Sequence, residues 1–148
     1  MKHYQSYSSA ETKHIASALA RRLARSPRAR GAAVVALSGE LGAGKTTFVK
    51  GFVRGLGSRS RVISPTFILM RRHAIHHSSF TNLYHLDAYR LKSAKDLAAL
   101  DFKKILADPR HIVLIEWAEQ VKKILPKNAV HISFRHSGRE NEREIVIK

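Results

Sequence analysis

The residues best equipped for chemistry are Gly39-Glu40-Leu41-Gly42-Ala43-Gly44-Lys45-Thr46, which fit the pattern G-x-x-x-x-G-K-[ST]. A phosphate is gripped by consecutive backbone N–H groups, and side chains at Gly42 and Gly44 would obstruct that approach or forbid the backbone angles. Lys45 can reach the β and γ phosphates of a nucleotide, and the Thr46 hydroxyl can ligate Mg²⁺. The loop reads phosphates and not the base, so ATP and GTP both remain open. A simple glycine-rich turn is the competing reading.

A loop alone binds; hydrolysis also needs an acid to hold Mg²⁺ and a group to orient water. Two carboxylates stand where strands are expected to end. Glu116 closes Ile112-Val113-Leu114-Ile115, the Walker B arrangement, in which the apolar run is buried and the terminal acid faces the phosphates. Asp87 closes Tyr84-His85-Leu86. Either could instead be a helix cap or an ion-pair partner, Asp87 with Arg90 for example.

These side chains need elements to hold them. Ala32-Ala33-Val34-Val35-Ala36-Leu37 reads as a buried parallel strand entering the loop. Phe48, Phe52 and Val53 recur at helical spacing after it, and strand, glycine loop and helix together are the context the motif requires. Upstream, Ser8-Ser9-Ala10-Glu11 is a capping box opening a helix with Ile15, Leu19 and Leu23 on its apolar face. Ser26-Pro27-Arg28-Ala29-Arg30-Gly31 ends it. The run after Pro65, through Met70, predicts a strand, since proline holds Ser64 out of helix. A polar connection from Arg71 to Ser79 leads to a second strand, Thr81–Asp87, making an antiparallel hairpin. His73, His76 and His77 fall in that connection, where a solvated turn is the better reading and a metal cluster the weaker one. Ser93-Ala94-Lys95-Asp96 starts another helix, His111–Glu116 is a second buried strand, and a short helix around Val121, Ile124 and Leu125 stops at Pro126. Two last strands, Val130–Phe134 and Glu144–Ile147, flank a polar turn. The expected architecture is α/β, a three-layer P-loop NTPase-like domain spanning residues 1–148. Its mixed sheet is parallel around the nucleotide and antiparallel at the edges.

Composition narrows the classes further. The absence of cysteine excludes disulfides, thiolate zinc sites and cysteine nucleophiles. No apolar run approaches a membrane span and none follows the first residues as a signal peptide would require, so a cytoplasmic protein is expected. With 27 Lys and Arg against 11 Asp and Glu, the formal net charge is +16. No acid occurs between Glu40 and Asp87, while seven lysines and arginines do. Such an excess suits a polyanionic partner, whether nucleotide, RNA or an acidic protein face, although it also serves solubility alone.

Four blocks together point further: Gly39–Thr47, Ser64-Pro65-Thr66-Phe67, Tyr84-His85-Leu86-Asp87-Ala88-Tyr89-Arg90-Leu91 and Leu114-Ile115-Glu116-Trp117-Ala118-Glu119. In content, order and spacing the sequence resembles the TsaE family over nearly its whole length. These are small bacterial P-loop ATPases required for threonylcarbamoyl modification of adenosine in the tRNA anticodon loop. The resemblance implies ATP/ADP and Mg²⁺ as cofactors, with Gly42, Ala43, Gly44, Lys45, Thr46 and Thr47 binding nucleotide. It implies a switch loop at Ser64-Pro65-Thr66 with Thr66 near the γ-phosphate. Thr46, Asp87 and Glu116 become the metal and water ligands, beside Trp117. It implies docking on a TsaD–TsaB core, with tRNA touched indirectly or weakly, and a monomer when alone. Two features depart from the family pattern: Asp101, with Lys103 and Lys104 after it, stands where glycine and an acid are usual, and the charge is unusually basic. A small P-loop kinase, or a nucleotide-switched RNA- or protein-binding module, are the alternatives.

Overall fold

The computed structural model describes residues 1–26, 30–65, 68–76, 79–93, 95–139 and 141–148. Strands are β1 (Lys2–Ser6), β2 (Ala33–Gly39), β3 (Met70–Ala74), β4 (Asn82–Asp87), β5 (His111–Glu116), β6 (Val130–His136) and β7 (Arg143–Ile147). Helices are α1 (Ser9–Arg25), α2 (Lys45–Gly55), α3 (Lys95–Ala98) and α4 (Phe102–Ala107), with a 3₁₀ segment at Ala118–Ile124. One seven-stranded sheet runs β1-β7-β6-β2-β5-β4-β3. β6, β2, β5 and β4 are mutually parallel, whereas β3, β7 and β1 run antiparallel to their neighbours. That is the mixed α/β sheet expected, parallel at the centre and antiparallel at both edges.

The continuous apolar runs of β2 and β5 are explained by burial on two faces. Val35, Leu37, Ile112 and Leu114 pack with Phe48 and Phe52 of α2 and Leu19 of α1. Val34, Ala36, Val113 and Ile115 point the other way, against Leu97, Phe102, Ile105 and Val121. Three layers result. The Phe48 ring meets Phe134 of β6 edge-on at 5.4 Å between centroids, which seats the helix behind the glycine loop on the sheet.

Helix α1 starts at the predicted cap: Ser8 Oγ accepts from the Glu11 N–H, while Glu11 Oε2 reaches one residue beyond the cap and accepts from the Tyr7 N–H. Its buried stripe is rotated from expectation, to Thr12, Ala16, Leu19, Ala20 and Ala24, with Ile15 and Leu23 only partly covered. The reason is close approach to α2. A Cβ on Gly51 would stand 2.5 Å from the Lys13 Cα, and one on Gly55 2.7 Å from the Ser17 Cα.

Two other expectations are corrected. Of the strand placed after Pro65 and through Met70, Thr66 and Phe67 lie outside the described residues and Ile68 and Leu69 form a turn; the strand observed starts at Met70 and runs through Arg71, Arg72, His73 and Ala74. His73 therefore lies in β3, 3% exposed, and not in a solvated turn. His76 is exposed as expected, and His77 is outside the described residues. Charged residues are tolerated there because β3 is an edge strand, with antiparallel β4 on one side only. The second correction is β1, a polar strand that pairs antiparallel with β7 and that no apolar alternation announces. Among the described residues no helix is long and apolar enough to cross a membrane.

Candidate functional site

Strands β2, β4 and β5 end at one edge of the sheet, with Leu37 and Asp87 each in register with Glu116. The carboxyl ends of parallel strands are where α/β sheets place ligands. The chain leaves β2 through Gly39, turns at Gly42 (φ 74°) and Gly44 (φ 101°), and enters α2 at Lys45. Both positive angles lie in the region that glycine alone visits freely. The first N–H groups of α2 and its positive dipole end thus face the loop's interior.

Inside this cleft, of about 270 Å³, the candidate side chains converge. Thr46 Oγ donates to Glu116, with its oxygen 2.9 Å from Oε2. Asp87 is 4% exposed; its carboxylate accepts from the Tyr89 N–H at 2.9 Å and from Ser64 Oγ at 3.3 Å. Lys45 is 5% exposed and donates from Nζ to the carbonyls of Gly39 (2.6 Å) and Glu40 (2.8 Å). Its ammonium also lies 3.9 Å from the centroid of Trp117, which in turn packs on Tyr89 at 4.8 Å. Burial pushes the Lys45 pKa down, and the nearby carboxylates of Glu116, Glu119 and Asp87 push back. Gly42, Gly44 and Thr47 line the same cleft, while Ala43 is fully buried beneath the loop. Thr66 lies outside the described residues.

Three contributors escaped the sequence reading. His85, fully buried, meets Glu116 Oε1 at 2.7 Å through Nε2 and so fixes the carboxylate from below. Its signal was available, because His85 and Asp87 share one face of β4 by the two-residue alternation of a strand. Tyr89 is the second. Arg143 is the third: at the start of β7, its side chain passes 3.7 Å from where a Cβ on Gly44 would stand. No local signal marks it, since β7 reaches the loop only through the folded sheet. Among the described residues no three His, Cys, Asp or Glu side chains form a metal-holding group. The oxygen donors of Thr46, Glu116 and Asp87, lining one cleft, are the hard-ligand type that suits Mg²⁺.

The family described as "Threonylcarbamoyl adenosine biosynthesis protein TsaE" matches residues 6–145. The chain belongs to the TsaE family. Its TsaE relative in Treponema pallidum (strain Nichols), a protein described as "tRNA threonylcarbamoyladenosine biosynthesis protein TsaE", is 42% identical over 114 residues. That match covers 77% of this chain and 80% of the relative. The TsaE protein of Bacillus subtilis (strain 168), described in the same words, is 37% identical over 113 residues, covering 76% and 67%. The crystal structure of B. subtilis YdiB superposes with a TM-score of 0.73 at 32% identity, covering 99% of this chain and 83% of that one. The P-loop NTPase-like α/β fold is therefore that of this TsaE-family chain.

The departure noted at Asp101 has a structural meaning within the family. Asp101 adopts φ 52° and ψ 30°, the left-handed region, immediately before α4. Glycine is the natural occupant of such a position, and aspartate is among the few other residues that tolerate it.

Proposed function

We propose that this protein is a Mg²⁺-dependent ATPase that supports threonylcarbamoyl modification of adenosine in the tRNA anticodon loop by docking on a TsaD–TsaB-type complex. The observation that carries the reading is the meeting of Thr46 and Glu116 at 2.9 Å, between the first turn of α2 and the end of β5. A helix N-terminus preceded by a glycine loop would hold the nucleotide phosphates on backbone N–H groups. Thr46 and Glu116, with Asp87 beside them, would hold the metal. Mg²⁺, when bound, supplies positive charge against the phosphate oxygens. Lys45 would exchange its present carbonyl partners for phosphate oxygens, its charge being held in a desolvated cleft where it counts most. Asp87 would orient the attacking water, and His85 keeps Glu116 in one orientation. Thr66 is assigned to the γ-phosphate on the family resemblance. The acids and the lysine come from different elements, so positioning and electrostatics, not covalent chemistry, would carry the rate.

The test is Mg-ATP binding and turnover by the wild type, Lys45→Ala and Glu116→Gln. Lys45→Ala should lose most nucleotide affinity. Glu116→Gln should still bind but hydrolyse on the order of 10²-fold more slowly, as expected for loss of one electrostatic element. Trp117, the only tryptophan, reports binding independently, because its ring touches Lys45. Its emission should change as Mg-ADP is titrated. Unchanged binding and turnover in both variants would rule the proposal out.

A further inference from the structure

A second concavity, of about 390 Å³, opens toward the C-terminal end of α2 and the segment that follows it. Its charged lining is Lys13, Lys50, Arg54, Arg59 and Arg61, with no carboxylate among the lining residues. Among the described residues none of these five cations takes part in an ion pair. Lys50, Arg54, Arg59 and Arg61 are exposed. Gathering like charges without counter-charges works against the folded state, and an anion in the groove would relieve that repulsion. The base of the groove is held in place. Ser58 Oγ donates to the Ala74 carbonyl at 3.2 Å and lies 3.1 Å from Ser60 Oγ, tying the segment that carries Arg59 and Arg61 to β3.

We propose that this groove is a docking surface for the sugar–phosphate backbone of a structured RNA. The lining chemistry decides between kinds of polyanion. Protein interfaces centre on aromatic and aliphatic anchors, yet the one apolar residue here, Val62, is itself buried. Lysine, arginine and serine are the side chains that contact phosphates. No aromatic side chain lines the groove, so nothing is provided for stacking unpaired bases, and paired stem backbone is the form that fits. The choice of RNA rests on the function proposed above, which brings tRNA to the protein.

The test is the binding of a fluorescently labelled tRNA transcript to nucleotide-free protein, followed by anisotropy across a salt series. The triple variant Lys50→Ala, Arg54→Ala, Arg59→Ala is expected to bind roughly tenfold or more weakly at moderate salt, with a log–log salt slope shallower by about 2–3. A control triple, Lys103→Ala, Lys123→Ala, Lys127→Ala, removes the same charge from α4 and the 3₁₀ region across the sheet, and should retain most affinity. Equal losses in the two triples would overturn the proposal, leaving general electrostatics. Undiminished tRNA binding by the groove triple, with lost binding to poly-glutamate, would overturn it in favour of an acidic protein partner. Turnover of Mg-ATP without RNA is read on the same samples and should be unchanged in the groove triple. Failure of the wild type to bind Mg-ATP would sink the ATPase reading, whereas the RNA proposal is decided by the two triples alone.

Discussion

His73 shows how one side chain carries a pH dependence. It sits in β3, nearly closed to solvent, with its ring centroid 6.5 Å from that of His85. Burial first, then His85 and Arg71, lower its pKa from the ordinary 6.5. The folded state therefore favours the neutral ring, while the unfolded chain takes up a proton once pH falls below about 6.5. Its contribution is fully present above that pH and is lost as pH falls through the range below it. Urea unfolding at pH 8 and pH 5 should show lower stability at pH 5, and His73→Leu should narrow the difference. An equal difference in the variant would assign the effect elsewhere. Glu116 matters at this scale through its contacts. Buried and held by Thr46 and His85, it is specified by its contacts, so even an isosteric change there should be felt in turnover before stability.

At the scale of elements, the α1–α2 contact is the tightest test of packing. Gly51 and Gly55, one turn apart on α2, let the backbone of α1 come within touching distance. In an isolated helix Gly51→Ala would help by about 1 kcal/mol. Here the added methyl meets Lys13 backbone, and the overlap should cost about 1–3 kcal/mol net. Thermal or denaturant unfolding checks the sign, and a stabilised variant would contradict the packing. Asp101→Gly should act the other way. Its left-handed backbone favours glycine, and the exposed Asp101–Lys104 pair at 3.4 Å contributes little. A gain of about 0.5 kcal/mol in the same assay is expected.

For the whole molecule, the net charge of +16 and a site assembled from several strand ends both bear on partnership. Ser64 reaches Asp87 from the segment between α2 and β3, so a protein docked against that segment could order the site. Hydrolysis by the isolated chain is expected to be slow and to rise with added TsaD–TsaB-type complex. Stimulation should weaken as salt is raised, because a basic surface attracts its partner through screened charge. Steady-state ATPase against partner concentration at two ionic strengths measures this. Fast turnover indifferent to partners would favour a stand-alone enzyme.

What the sequence determined by itself is what local patterns encode. The glycine loop, the apolar runs of β2 and β5, the Ser8 helix cap and the acids closing β4 and β5 each depend on residues near one another in the chain, and each took its expected place. The sheet's parallel centre and antiparallel edges followed from the same runs and turns. Tertiary structure decided the rest. The polar strand β1 exists because β7 presents an open edge to pair with. The strand of the first hairpin settled on Met70–Ala74 because antiparallel pairing with β4 sets its register, burying His73. The stripe on α1 turned toward small residues because two glycines on a different helix drew the backbones together. Arg143 came to Gly44 the same way, and although strand alternation put His85 on the face of Asp87, only the pairing of β4 with β5 set it under Glu116. Apart from the hairpin, each is a contact between segments far apart in sequence, and such contacts are fixed by sheet register and helix packing, which no local pattern carries.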